Sequence, residues 1–253
     1  MGAMDIEILY KDKDLLVINK PAGLLVHGIF DKFGPKHNEE TLTDWLAKNY
    51  PETAKIGDRS EEEIVKQQRG GIVHRLDRYT SGVLVIARNQ KSFEYLKKLF
   101  AGRFIKKTYL ALVWGRIHEK SGVIDRPISI KDGSVKRTVF KGKMPRESVT
   151  NYETLEHYMY VHGKHRDELT LVRVMPKTGR THQIRVHMSS IGHAVVGDRL
   201  YGKKGTIAFE NGNQLDRQFL HAKKIEFKSP NGKAIAIEAP LPPELQSILD
   251  LLV

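Results

Sequence analysis

The chain has 253 residues, 40% of them hydrophobic and 28% charged, and carries a formal net charge of +12 with no cysteine. The absence of cysteine excludes disulfides, thiolate nucleophiles and cysteine-ligated zinc together, and no apolar run approaches the roughly 18 residues that a transmembrane helix needs. A basic surplus of this size favours a polyanionic partner, because lysine and arginine release counterions from phosphates when they bind.

In chain order, residues 6–10 and 15–19 read as two short strands, and Pro21-Ala22-Gly23 as a turn. Residues 1–4 have no basic start followed by an apolar run, so no secretory signal is predicted; they are taken as a remnant outside the fold. Residues 28–40 look like a loop. Thr41 can cap a helix whose apolar face is Leu42, Trp45 and Leu46, with Asp44 three positions on. The polar stretch 51–69, with its insertion at 56–68, has no functional reading. A turn then leads into a buried strand at 83–87. A helix is predicted over 90–101 on Phe93, Leu96, Leu99 and Phe100, and a strand over 107–114. Residues 131–146 read as a flexible basic stretch. Strands follow at 149–155 and 169–175. Thr178 caps a predicted helix from Arg180 to Ile191, ended by Gly192, with Ile184, Met188 and Ile191 on one face. Strands at 219–227 and 234–238 pair through Pro230-Asn231-Gly232, and Pro242-Pro243 opens a last helix. Strands outnumber helices and hairpin signals are frequent, which predicts an α+β fold with a mainly antiparallel sheet.

Three segments carry candidate chemistry. The first is His74-Arg75-Leu76-Asp77-Arg78-Tyr79-Thr80-Ser81-Gly82, where a carboxylate sits between two arginines that favour its ionised form. An ordinary surface ion pair in a turn would look the same locally. The second runs from Lys177 to His187 and includes Arg180, His182 and Arg185. An inward-pointing Arg185 would need a carboxylate, because a buried unpaired charge is costly; Asp77 is a candidate. A solvated or phosphate-contacting arginine is the other reading. Zinc on His182, His187, His193 and Asp198 is disfavoured, since His182 and His187 would lie about 140° apart on a helix. The third is the strand Lys106-Lys107-Thr108-Tyr109, where Tyr109 could stack on a base or simply belong to the sheet. Basic residues frame these segments: Lys97, Lys98, Arg103, Lys106 and Lys107; then Lys131, Lys136, Arg137, Lys141, Lys143 and Arg146; then Arg173, Lys177, Arg180 and Arg185. Together they read as a phosphate-binding rim, which would position RNA rather than read its sequence. No phosphate-binding P-loop, dinucleotide-binding glycine pattern or nucleophile elbow is present.

The stretch His74 to Gly82 resembles the signature of RluA-type pseudouridine synthases. So do Val17-Ile18-Asn19-Lys20-Pro21-Ala22-Gly23 with His27, Lys107-Thr108-Tyr109 with Ala111, and Gly179 to His187. Gly197-Asp198 with Tyr201-Gly202 and Leu220-His221-Ala222 match too, all in the family's order across residues 6–243. The resemblance implies a single catalytic domain over residues 5–253, built on a long mixed, mostly antiparallel sheet in two halves flanked by helices, with an RNA cleft between them. It implies an isomerase acting on uridines of rRNA or tRNA, with no cofactor and no metal. Asp77 becomes the essential carboxylate, Arg185 its partner, Tyr109 the wall against the target base or ribose, and Arg75 the residue where the flipped nucleotide enters. His74, Lys106, Lys107, Lys136, Arg137, Arg180 and His182 are expected to meet RNA, with residues 131–146 as a loop that grips it. The pattern starts near residue 5, so the small N-terminal RNA-binding module of many relatives is expected to be absent. A cytoplasmic monomer with no membrane partner completes the expectation. Two rivals remain: a non-catalytic RNA-binding protein on the same fold, and a nucleoside glycosidase. The second lacks the paired acids such enzymes usually use.

Overall fold

The computed structural model describes residues 5–28, 30–31, 34–35, 39–58, 70–133, 136–202, 207–209 and 212–253. Residues 1–4 and most of the insertion at 56–68 lie outside them. The chain divides into two compact units, residues 1–105 with 224–239, and residues 106–223 with 240–253.

In the first unit, β1 (Ile8–Lys11), β2 (Leu15–Lys20) and β5 (Ser81–Ala87) form antiparallel pairs in the order β1-β2-β5. The expected loop over 28–40 contains instead a minimal hairpin, β3 (Phe30–Asp31) with β4 (Gly34–Pro35). Helix α1 (Leu42–Asn49) starts where the sequence placed it. Thr41 and Asp44 form a reciprocal capping box that satisfies two otherwise orphaned N–H groups. A 3-10 turn follows at Pro51–Lys55. Helix α2 (Gln90–Ala101) is capped by Asn89, whose side chain accepts from the Ser92 N–H. Its Phe93 and Leu96 pack on Leu15, Val17, Val83 and Val85, and on Ile225, Phe227 and Ile235. Those last three come from β13 (Leu220–Lys228), which starts in the second unit and ends in the first, and from its antiparallel partner β14 (Ala234–Glu238).

The second unit is built on four antiparallel strands in the order β6-β12-β11-β7: β6 (Lys106–Trp114), β12 (His165–Pro176), β11 (Val149–His162) and β7 (Ser121–Asp125). Strand alternation gives this sheet two apolar faces. Ala111 and Val113 pack with Val172 and Val174 under helix α3 (Gln183–Ser190), through Ile184 and Met188. Leu112 and Trp114 face the other way, with Leu169 and Leu171, onto Leu245 and Ile248 of helix α4 (Pro243–Asp250). Each such buried side chain contributes about 1.5–3 kcal/mol.

Three sequence expectations need correction here. Residues 131–146 are not a plain flexible stretch: β8 (Ile128–Ile130) pairs with both β9 (Arg137–Thr138) and β10 (Lys143–Arg146) in a small separate sheet. The β11–β12 hairpin is about twice as long as its apolar pattern suggested, turning at Gly163 (φ +57°). Helix α3 begins at Gln183 rather than Arg180, and Thr178 does not cap it; His182 occupies the cap position in the left-handed region, at φ +57°.

Candidate active site

In the first unit the segment 74–82 crosses the end of β5. His74 is fixed from two sides, for its Nε2 accepts the Val85 N–H at 2.9 Å and its ring stacks on Phe100 at 4.5 Å. Arg75 is exposed, Leu76 is buried, and Asp77 is half-buried. The Asp77 carbonyl accepts the Thr80 N–H at 3.0 Å, closing a tight turn, and Thr80 and Ser81 are buried behind it. Gly82 lies opposite Lys20 in the β2–β5 register at φ +114°, a conformation that a β-carbon would strain.

A buried lysine holds this turn. Lys20 has no exposed surface, and its ammonium donates to the carbonyls of Pro21 (2.7 Å), Leu24 (2.9 Å) and Arg78 (3.1 Å). The Gly23 N–H donates to the same Arg78 carbonyl, and Arg78 Nε returns a bond to the Gly23 carbonyl at 3.0 Å. The Arg78 guanidinium also pairs with Glu39 at 2.6 Å. Thus the Lys20–Gly23 turn and the Asp77 turn are stitched into one body, with a buried charge satisfied by three carbonyls.

In the second unit β6 carries Lys106, Lys107 and Tyr109. Lys106 is exposed. Tyr109, opposite Val174, is half-buried against the cluster that includes Ile184 and Met188. Lys107 turns inward and donates to the Thr178 carbonyl at 3.1 Å, and burial pulls its amine down to a pKa of about 8. The Thr178 hydroxyl accepts the Val149 N–H and donates to Gln183 Oε1, which also accepts the Arg180 N–H. Arg180 Nε reaches the Glu147 carbonyl.

Helix α3 is pinned by a buried polar network. Gln183 donates to the Val149 carbonyl and to Thr150 Oγ1, and Thr150 Oγ1 bonds His187 Nδ1 at 2.9 Å. His187 Nε2 donates to the Arg126 carbonyl at 3.0 Å. Burial lowers the His187 pKa and so favours the neutral ring. Between these two anchors Arg185 reaches Asp198 through a bidentate pair, Nε to Oδ2 at 2.7 Å and Nη2 to Oδ1 at 2.8 Å. Both side chains are almost wholly buried. Burial pushes the Asp198 carboxyl up, but Arg185 and the N–H groups of Leu200 and Tyr201 outweigh it, and its pKa is lowered.

Asp198 was quoted in the sequence only as a motif landmark and an improbable zinc ligand; its role as the partner of Arg185 was missed, as was the clamp made by Lys20. In both cases the motif containing the residue was the available signal. The three histidines once considered with Asp198 go to unrelated partners: His182 to Tyr201, His187 to Thr150 and Arg126, His193 to the Trp114 carbonyl. Among the described residues no three groups of metal-ligating type converge.

A sequence profile described as RNA pseudouridylate synthase matches residues 14–190. The chain belongs to this family. An uncharacterized RNA pseudouridine synthase, YlyB, of Bacillus subtilis is 35% identical over 248 residues, covering 98% of this chain and 73% of the relative. The ribosomal large subunit pseudouridine synthase D of Nitrosomonas europaea is 36% identical, covering 98% of this chain and 65% of that protein. The solved structure of human RNA pseudouridylate synthase domain containing 1 superposes with a TM-score of 0.71 at 27% identity, over 98% of this chain and 89% of that one. The expected family and its mostly antiparallel α+β fold are therefore borne out. The synthase is an isomerase whose substrate is RNA. No helix among the described residues is long and apolar enough to cross a membrane.

Proposed function

We propose that this synthase converts uridines of structured RNA, ribosomal RNA foremost, with Asp77 as its catalytic carboxylate and Tyr109 and Arg185 serving the same reaction. The observation that carries the assignment to Asp77 is the clamp around it. A half-buried acid on a tight turn is held by a fully buried lysine and by reciprocal Gly23–Arg78 bonds. That rigidity suits a group that must meet one atom of an extruded nucleotide. The name of the Nitrosomonas relative, a ribosomal large subunit pseudouridine synthase, supports ribosomal RNA as the substrate.

In this reading a carboxylate oxygen of Asp77 attacks the ribose or the uracil, and the N1–C1′ glycosidic bond breaks. The uracil turns in the pocket, C5 bonds to C1′ as the bond to Asp77 breaks, the C5 proton leaves to a tyrosine or water, N1 takes up a proton, and Asp77 is released unchanged. Atoms balance without a cofactor. Tyr109 offers an aromatic wall, half-buried on a rigid strand, for the base or ribose. Exposed Arg75 and Lys106 and the partly exposed Lys136, Arg137, Arg180 and His182 suit a phosphate-contacting rim. His74 and Lys107, whose Nε2 and Nζ meet the protein's own backbone, are further candidates for RNA contact. The enzyme works as a cytoplasmic monomer, as a single catalytic domain.

Pseudouridine mapping on ribosomal and transfer RNA incubated with the protein, beside Asp77→Asn, tests this. New pseudouridine with the wild type alone is expected. Equal modification by Asp77→Asn would remove Asp77 from the chemistry. Modification confined to transfer RNA would overturn the substrate.

A further inference from the structure

The β9–β10 segment carries Lys136, Arg137, Lys141, Lys143 and Arg146, and it ends a sheet of only three short strands. It also exposes an apolar tip: Phe140 is 74% and Met144 62% exposed. Such a segment needs an external anchor to hold one position against a polyanion. Tyr201 supplies it. The Arg137 N–H donates to the Tyr201 hydroxyl at 2.8 Å, and that hydroxyl bonds His182 Nδ1 at 2.9 Å. The Tyr201 ring lies under the Arg185 guanidinium, 5.1 Å from its carbon to the ring centroid. The Tyr201 N–H donates to Asp198 Oδ1, the same carboxylate that holds Arg185.

One side chain therefore touches three groups outside its own turn. They are the backbone of the basic β9–β10 segment, the strained residue that precedes α3, and the arginine that α3 carries. His182 is held at φ +57°, costly for a residue with a β-carbon, and its ring bond to Tyr201 helps to fix it there. We infer that Tyr201 is a positioning residue for the isomerisation, its hydroxyl docking the basic β9–β10 segment onto His182 and its ring backing the Arg185 guanidinium. This deepens the function proposed above, because it takes that segment and Arg185 as parts of the RNA site. The hydroxyl and the ring do different work, so two substitutions separate them.

Tyr201→Phe keeps the ring and removes the hydroxyl. Binding to a transcript of large-subunit ribosomal RNA is expected to weaken about three- to tenfold, the range for one lost hydrogen bond. The salt slope should flatten as the segment's cations disengage, and the loss should appear in KM far more than in kcat. Tyr201→Leu removes the ring as well and should lower kcat about tenfold, the order expected for a desolvated cation–π contact. A merely structural tyrosine would lower the melting temperature and leave the salt slope and the KM-against-kcat split unchanged. Wild-type affinity and slope in Tyr201→Phe would overturn the docking role. An unchanged kcat in a folded Tyr201→Leu would overturn the role toward Arg185. The binding measurements need no turnover and are repeated in Asp77→Asn, so their failure is separable from failure of the catalytic assignment.

Discussion

Lys107 gives a pH-dependent stability that can be read directly. Burial brings its amine to a pKa of about 8, against the ordinary 10.5. Below pH 8 both the folded and the unfolded chain carry the proton, and the full cost of the buried charge is present. Between pH 8 and 10.5 the unfolded chain keeps a proton that the folded chain has released, so stability rises with pH across that window. At 1.36 kcal/mol per pH unit the ceiling is about 3 kcal/mol, and partial solvent access brings it to roughly 1–2 kcal/mol. Lys107→Met removes the titration together with the bond to the Thr178 carbonyl, worth about 1 kcal/mol. Urea unfolding of both proteins from pH 7 to pH 10 should show the variant as stable as the wild type or slightly more so at pH 7. The wild type should then gain on it by about 1–2 kcal/mol as the pH rises. Tyr10, Tyr152 and Tyr158 have raised pKa values and lose stability only above about pH 10, equally in both proteins, so the difference curve isolates Lys107. A difference that stays constant over the whole range would show an ordinarily solvated amine and refute the reasoning.

Two further outcomes follow from the buried charges. Asp198→Asn removes the buried bidentate carboxylate from Arg185, and unfolding should cost about 3–5 kcal/mol less, by urea denaturation at pH 7. Because the Asp198 pKa is lowered in the fold, its contribution is present above about pH 4 and is lost as the pH falls through the folded value; the gap between the two proteins should narrow in acid, and a gap unchanged down to pH 2 would contradict the pairing. Lys20→Met strips the donor from the carbonyls of Pro21, Leu24 and Arg78. The Thr80 amide, which closes the Asp77 turn, should then exchange its hydrogen at least tenfold faster while amides in α3 keep wild-type protection; equal protection at Thr80 would remove Lys20 from the clamp.

How much of this was legible in the sequence depends on where each element's determinants lie. Helix α2 was read at its true bounds because its apolar face, Phe93, Leu96, Leu99 and Phe100, is local. Helix α3 was started three residues early for the opposite reason. Thr178 has the chemistry of a cap, but its hydroxyl is taken by Val149 and Gln183, and the residue at the cap position is His182, held at positive φ by tertiary contacts. The ends of β11 and β12 beyond the predicted bounds, such as Val161–His162 against His165–Arg166, are largely exposed. Their pairing rests on backbone hydrogen bonds that leave no hydrophobic signature. The small sheet of β8, β9 and β10 was hidden similarly, since strands of two to four residues set no periodicity.

The site divides along the same line. Asp77, Tyr109 and Arg185 stand inside contiguous motifs, so a single pass along the chain finds them. What holds them is non-local: Arg78 meets Lys20 across 58 residues, and His187 meets Thr150 across 37. Asp198 is only 13 residues from Arg185, yet charge pattern alone does not single it out as a partner. A guanidinium needs a planar acceptor, and the sequence offers several carboxylates but not their distances. The Asp198 pairing is set by packing, which buries α3 from Gln183 to Met188 and sets the Arg185 side chain against the Asp198 turn. A motif therefore states which reaction is possible, whereas the buried bonds around it decide whether its groups hold still long enough to perform it. That is why the Lys20 clamp and the Tyr201 junction, neither of which announces a reaction in the sequence, are where substitutions should separate binding, catalysis and folding most cleanly.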